Sequence, residues 1–278
     1  MSARASSEAD GPSGALTRPA GAVRARAFVA LCSRDVWVTV RHESISFLAQ
    51  ALLQPVFFLF VFGRVLPQIG AARGAYGTQL MPGVMALTLV LTALQNTALP
   101  LVIEFSFTKE IEDRLLAPLP VWAVAVQKLV IAALRSILAA ALILPLAALI
   151  LPGGVHVQGA HWVAVVLIFL GGSLAAAAMG LVLGCAVPPN RISIAFAVVL
   201  TPLIFTGAAF YPWRALGHLR WFQIITLANP LTYVSEGLRA SLTAVPHLAT
   251  GAIVGGLAVS LIGFGMLGTL LFVRRAVD

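Results

Sequence analysis

The feature that most constrains this chain is a repeated one: stretches of about 20 or more apolar residues, each long enough to cross a bilayer core. Six of them run from about Ile45 to Leu66, Leu80 to Ile103, Val121 to Leu151, Trp162 to Val187, Ile192 to Tyr211 and Leu248 to Val273. Lipid leaves no water to satisfy a backbone, so a chain built this way must form helices in those stretches. Composition agrees: hydrophobic residues make up 60% and charged residues 10% of the 278 positions, which excludes a water-soluble globule and a disordered chain alike. Two cysteines exclude a disulfide scaffold. The net charge of +8 is spread along the chain beside apolar spans, so it points to membrane orientation and not to nucleic acid.

Orientation follows from where the cations fall. With the N-terminus inside, the inner segments hold Arg4, Arg18, Arg24, Arg26, Arg34, Arg41, Lys109, Arg114, Arg191, Arg274 and Arg275, eleven against the five outer residues Arg64, Arg73, Arg214, Arg220 and Arg239. Both termini are therefore expected in the cytoplasm of a multi-pass plasma-membrane protein. Residues 1–21 are small, polar and rich in Pro and Gly, and read as a cytoplasmic tail without a signal peptide. Residues 22–44 alternate Val23, Phe28, Leu31, Val36 and Trp37 with Arg24, Arg26, Arg34 and Arg41, the pattern of a basic amphipathic helix on the inner membrane surface. Residues 45–275 form the transmembrane domain. Cys32 and Cys185 then face a reducing compartment, and no disulfide is expected.

The densest charge lies between the second and third spans. Of ten acids, Glu104, Glu110, Glu112 and Asp113 fall within the run from Glu104 to Pro120. Thr108 can cap a short helix whose first turn holds Glu110, and Pro118 ends it. Ile111, Leu115 and Leu116 would share one face of that helix, which suits docking into a partner's groove; a solvated loop is the alternative.

That segment carries a resemblance. The second span, the acidic-basic stretch ending Arg114-Leu115-Leu116-Ala117-Pro118-Leu119-Pro120 and the third span with Lys128 are similar to permeases of the ABC type 2 exporter family, which includes daunorubicin-resistance-like, polysaccharide and nodulation-factor exporters. A second match joins Pro202 to Gly207 and Phe210-Tyr211-Pro212 to Leu227-Ala228-Asn229-Pro230-Leu231-Thr232-Tyr233 and Glu236 to Arg239. The resemblance spans about residues 25 to 275. It implies an all-α membrane protein with six transmembrane helices, an N-terminal interfacial helix, a cytoplasmic coupling helix and a re-entrant outer segment before the last span. It also implies that Phe107, Glu110, Ile111, Glu112, Asp113, Arg114, Leu115 and Leu116 receive the motion of a separate ATP-binding cassette subunit. Glu110-Ile111-Glu112 stands where the commoner family pattern has Gly-Thr. The chain itself has no Gly-x-x-x-x-Gly-Lys-Ser/Thr sequence, so ATP and Mg are expected on the partner and no cofactor on this chain. A second permease copy, identical or not, would complete the pathway, within bacterial membrane lipid.

Several polar residues fall inside spans, where they are costly against lipid. Gln95, Asn96 and Thr97 either bond between helices or line the substrate path. Lys128 and Arg135 are seven apart, about 10 Å along one helix face. Lys128 is expected to snorkel to the headgroups, and Arg135 either pairs with an acid such as Glu104 or lines a wet cavity able to hold an anionic headgroup. The apolar connection from Phe210 to Ser241 is expected to dip back as short helices, with Phe210, Pro212, Asn229, Pro230 and Tyr233 forming an outer gate. Glu236, its one acid, is expected to pair locally with Arg239. His156 and His161 have no Cys, Asp or Glu beside them, so no metal site is expected. Ser193, Ser235 and Ser241 lie in no Ser-His-Asp or Gly-x-Ser-x-Gly setting, and a membrane-embedded lipid-modifying enzyme is kept only as the alternative to an exporter of drug, lipid or lipid-linked glycan.

Overall fold

The computed structural model describes residues 29–35, 37, 41, 44–70, 76–105, 120–151 and 161–277. Among the described residues six helices are long and apolar enough to cross a membrane, and there is no strand. Helix α1, Ser44–Phe60, runs on through a π-helical turn, Val61–Val65, to Gln68. Then come α2 (Tyr76–Ile103), α3 (Val121–Ile150), α4 (Trp162–Ala186) and α5 (Ile192–Thr206). A 3-10 helix, Trp213–His218, and two short helices, α6 (Arg220–Thr226) and α7 (Pro230–Leu242), precede α8 (Thr250–Val277). The fifth expected span is the one cut shortest: α5 stops at Thr206 instead of reaching Tyr211, because the chain turns sharply at Gly207 and at Ala208, whose φ is +50°, while α2 begins four residues before and α8 ends four residues after the expected limits.

Helix α2 is the hub. Of its most apolar 18 residues 72% are buried, against 6% in Pro189–Thr206, the span that contains α5, so most of α5 faces away from the described parts of this chain. α2 holds Thr88, Thr92 and Thr97 in this interior. Thr88 and Thr97 each donate to the carbonyl four residues back, at 2.8 and 2.9 Å, so neither hydroxyl is stranded. α4 lies parallel to α2, with Gly172 near Leu89 and Gly184 near Ala98. The Gly180-x-x-x-Gly184 pair makes this approach possible: a Cβ on Gly180 would lie 2.5 Å from the Leu94 carbonyl oxygen. Without a hydrophobic force between helices in lipid, such small residues set how closely backbones meet. α3 is antiparallel to α2, its Lys128 meeting Glu104 and its Arg135 meeting Asn96.

These directions place Ile103, Val121, Ala186, Ile192 and Val277 at one end of the bundle, called the terminal face below. The short helices between α5 and α8 lie at the opposite face, with Gln68, Tyr76, Ile150 and Trp162. Of the expected amphipathic helix, residues 22–44, only 29–35, 37, 41 and Ser44, which opens α1, are described; 29–35 are helical, and the Arg41 guanidinium stands 4.8 Å over the exposed Trp37 ring.

Candidate functional site

At the terminal face, the expected coupling residues Phe107 and Glu110 to Leu116 lie outside the described residues, but both roots of their segment are described. On the α2 side, Phe105 meets the Phe272 ring edge-on at 5.6 Å, and the Arg275 guanidinium lies 4.8 Å over Phe105. Arg275 Nη1 also donates to the carbonyls of Gly184 and Cys185, at 2.9 and 3.0 Å. Those are among the last carbonyls of α4, which have no intrahelical partner, so a cation there answers both the hydrogen-bond deficit and the negative end of the helix dipole. On the α3 side, Val121 packs into the same apolar cluster as Phe105, around Leu101, Leu181 and Phe272. One residue of α8 therefore grips the end of α4 and the start of the α2–α3 connection together. The 29–35 helix is tied in as well, since Gln127 Nε2 donates to Asp35 Oδ2 at 2.7 Å. Cys32 beside it is half-buried; burial first and the Asp35 carboxylate second push its thiol up, which keeps it protonated and unreactive near neutral pH.

A polar seam then climbs between α2 and α3, and along it the expectation for Lys128 fails, as does one of the two alternatives for Arg135, its pairing with Glu104. Lys128 does not snorkel. It is 8% exposed and paired with the equally buried Glu104. Glu104 is thereby taken, and Arg135 does not pair with it; Arg135 Nη1 donates instead to Asn96 Oδ1 at 3.3 Å. The physical reason is register: in an antiparallel pair the residue nearest the α2 terminus meets the residue nearest the α3 start, and Lys128 is a turn or two nearer than Arg135. Asn96 Nδ2 returns to the Thr92 carbonyl at 2.9 Å. Gln95 and Asn96 are half-buried while Thr97 is buried, so Thr97 serves the helix interior and only the first two border the surface.

The opposite face carries the expected gate residues, and they form a lid tied from several sides. Phe210 stacks on Phe62 at 5.3 Å and meets Phe58 edge-on at 5.1 Å, joining the lid to α1. Tyr76 donates its hydroxyl to the Phe210 carbonyl at 3.1 Å, and Gly83 of α2 runs so close under Ala209 that a Cβ would come within 1.7 Å of its oxygen. Pro212 opens the 3-10 helix. Asn229 caps α7: its Oδ1 accepts from Leu231 N–H at 2.9 Å, and Pro230 fills the first helical position, where a missing N–H costs nothing. Asn229 Nδ2 also donates to the Leu203 carbonyl and Thr206 Oγ1, at 2.8 and 2.9 Å, binding α7 to the end of α5. Tyr233 donates to the Leu227 carbonyl at 2.5 Å and borders a groove of about 570 Å3 against Gly256, Ser260 and Phe264 of α8.

Glu236 and Arg239 do pair, as expected, but as more than a local contact. Both are fully buried. Glu236 Oε1 accepts from Trp213 N–H at 2.9 Å and Oε2 from Leu248 N–H at 2.7 Å, while Arg239 Nη2 donates to the Ala208 carbonyl at 3.2 Å. One ion pair thus joins the turn after α5, the 3-10 helix, α7 and the entry to α8. Sequence reasoning missed this reach, although the signal was present: Glu236 is the one acid between Gly207 and Ala249, where a solvated pair would have had no need of burial. His156 lies outside the described residues, among which no three His, Cys, Asp or Glu converge as metal ligands would.

A bundle of membrane-length helices with ion pairs buried inside it, a segment rooted between α2 and α3 and a braced lid at the far end has the parts of a transport subunit. Comparison with known proteins agrees. The ABC-2 type transporter family profile matches residues 26–243. Over 245 residues the chain is 24% identical to the inner membrane transport permease YadH of Escherichia coli (strain K12), an alignment covering 83% of this chain and 90% of that one. The permease of the same name from Shigella flexneri matches at the same identity and coverage. The chain belongs to the ABC-2 type transporter family, as a multi-pass transmembrane subunit of an ABC transporter.

Proposed function

We propose that this chain is the permease half of a bacterial inner-membrane exporter that moves an amphiphilic substrate outward, energised by ATP and Mg on a separate ATP-binding cassette subunit. The observation that carries the reading is the family match over residues 26–243 in a sequence without a phosphate-cradling P-loop. Two permease chains, alike or not, pair with two cassette subunits. Both termini and the terminal face lie in the cytoplasm, in keeping with eleven inner against five outer cations.

Closure of the cassette subunits presses on Phe107 to Leu116. Phe105 passes that push to α8 and α4 through Phe272 and Arg275, which touch it directly. α2 carries the motion to the lid, whose Ala209 backbone lies against Gly83. Gln95, Asn96 and Arg135 border the bundle surface in the half nearer the terminal face, where a second permease would enclose an amphiphile's polar part between the two copies. Phe210, Pro212, Asn229, Pro230 and Tyr233 form the exit.

Copurification with the cassette subunit encoded beside it, followed by ATP hydrolysis measured against drugs, lipids and lipid-linked glycans, tests the reading. Stable association and substrate-stimulated hydrolysis support it. Turnover of a lipid by the purified chain alone, with no cassette bound, overturns it.

A further inference from the structure

The opposite face has an unusual charge inventory. The connections that meet there, residues 69–78, 151–161 and 207–249, contain one acid between them, Glu236. That acid is fully buried and its oxygens are taken by Arg239, Trp213 and Leu248. Arg64, Arg214 and Arg220 are exposed there, and none has an ion-pair partner among the described residues. The face is therefore cationic with nothing negative on it.

Two of these arginines sit on one small unit. The 3-10 helix with Arg214 and α6 with Arg220 are clasped together, Trp213 Nε1 donating to the Gln223 carbonyl and Gln223 Nε2 to the Trp213 carbonyl, each at 3.2 Å. Trp221 braces edge-on against Phe222 at 5.6 Å. The same unit exposes apolar surface that no described part of this chain covers: Trp221 is 65% and Ile224 69% exposed, with Leu219 and Ile225 beside them. Arginines next to bare tryptophan and isoleucine are the composition of an element lying at a headgroup boundary, apolar side in the acyl region and cations at the phosphates.

We propose that the Trp213–Thr226 unit docks on the phosphates of anionic bilayer lipid, with Arg214 and Arg220 as its phosphate donors and Trp221, Ile224 and Ile225 immersed beside them. Charge complementarity selects an anion, since a planar guanidinium meets two phosphate oxygens at once. The apolar neighbours select a lipid over a soluble anion, which would leave them wet. Seated this way, the unit holds the lid at the level of the leaflet through Trp213 and its bond to Glu236. The proposal needs only a chain embedded in a membrane, so it stands apart from the direction and substrate of transport.

The test uses the full chain with Trp37, Trp122 and Trp162 changed to Phe, leaving Trp213 and Trp221, reconstituted in phosphatidylcholine vesicles. A small fraction of brominated phosphatidylglycerol or of brominated phosphatidylcholine is added and tryptophan quenching read. Phosphatidylglycerol is expected to quench at least about twofold more strongly than phosphatidylcholine at low salt, less so as salt rises. R214Q/R220Q is expected to erase the difference and R214K/R220K to keep most of it, which separates lost charge from lost folding. Equal quenching by the two lipids before any arginine is changed overturns the proposal, as does a preference that survives R214Q/R220Q. A preference removed by millimolar inorganic phosphate assigns the cations to a soluble anion and overturns it too.

Discussion

Glu236 and Arg239, one turn apart on α7, are both fully buried, and the carboxylate accepts main-chain N–H groups from Trp213 and Leu248 while the guanidinium reaches the Ala208 carbonyl. Breaking a buried pair by removing one partner strands the other charge, at about 3–5 kcal/mol, whereas removing both is often nearly neutral. Glu236→Gln is therefore expected to lower the thermal unfolding temperature in detergent markedly. Adding Arg239→Met should recover part of the loss, though not the tether to Trp213 and Leu248. Independent, additive effects of the two changes would show that the pair is not coupled.

The seam between α2 and α3 makes a sharper distinction. Glu104 is bound by Lys128 and Arg135 by Asn96, so Lys128→Met should destabilise by several kcal/mol and Glu104→Gln should rescue it. Arg135→Leu should not be rescued by Glu104→Gln, because that carboxylate is already neutralised elsewhere. Thermal unfolding of the three single and two double variants measures both cycles. Rescue of Arg135→Leu by Glu104→Gln would reverse the pairing.

How much of this was legible beforehand depended on the distance over which each feature is decided. Span limits are local: a run of apolar residues needs no partner to be helical, and α3, α4 and the turn at Pro189–Arg191 fall within a residue of where hydropathy puts them. α5 ended early because its last turn competes with the close packing of Gly207 and Ala209 against α7 and α2, which no window of sequence contains. Likewise Lys128, Arg135 and Glu104 were all visible as costly charges, but which of two cations takes the acid is a matter of register between two helices, in which the partners Glu104 and Lys128 stand 24 residues apart in sequence. The Gly180-x-x-x-Gly184 contact is the reverse case, a pattern plain in the sequence whose partner helix only the fold supplies.

That contact is testable by size. A Cβ on Gly180 meets the Leu94 oxygen at 2.5 Å and Thr97 Cβ at 2.9 Å, and neither is the end of a flexible side chain. Gly180→Val should force α4 from α2 and cost about 1–3 kcal/mol or more, read as a lowered unfolding temperature. Gly263→Val, on an open stretch of α8, should cost little. Equal effects at the two positions would mean that α2 and α4 are not in close contact.

Orientation is open to chemical labelling. Single cysteines in a background without Cys32 and Cys185 should react with an impermeant reagent from outside at position 156, and at position 110 only after the inner side is exposed. The reverse pattern would exchange the coupling end and the exit.

The last expectation concerns Arg275, which does two things at once: it satisfies the Gly184 and Cys185 carbonyls and lies over Phe105 at the root of the proposed coupling segment. If it served only to cap α4, Lys would substitute tolerably, since an ammonium also suits the negative end of a helix. Lys lacks the planar guanidinium that can stack on a ring while donating to two carbonyls. Arg275→Lys is therefore expected to keep the fold and the cassette-bound ATP hydrolysis largely intact while transport per ATP falls several-fold. Phe105→Leu, which removes the ring under the guanidinium, should give the same uncoupling, and the double variant should be little worse than either single one. Should Arg275→Lys transport normally while Arg275→Ala merely unfolds earlier, the residue is a helix cap and the push from the coupling segment reaches α8 by another route.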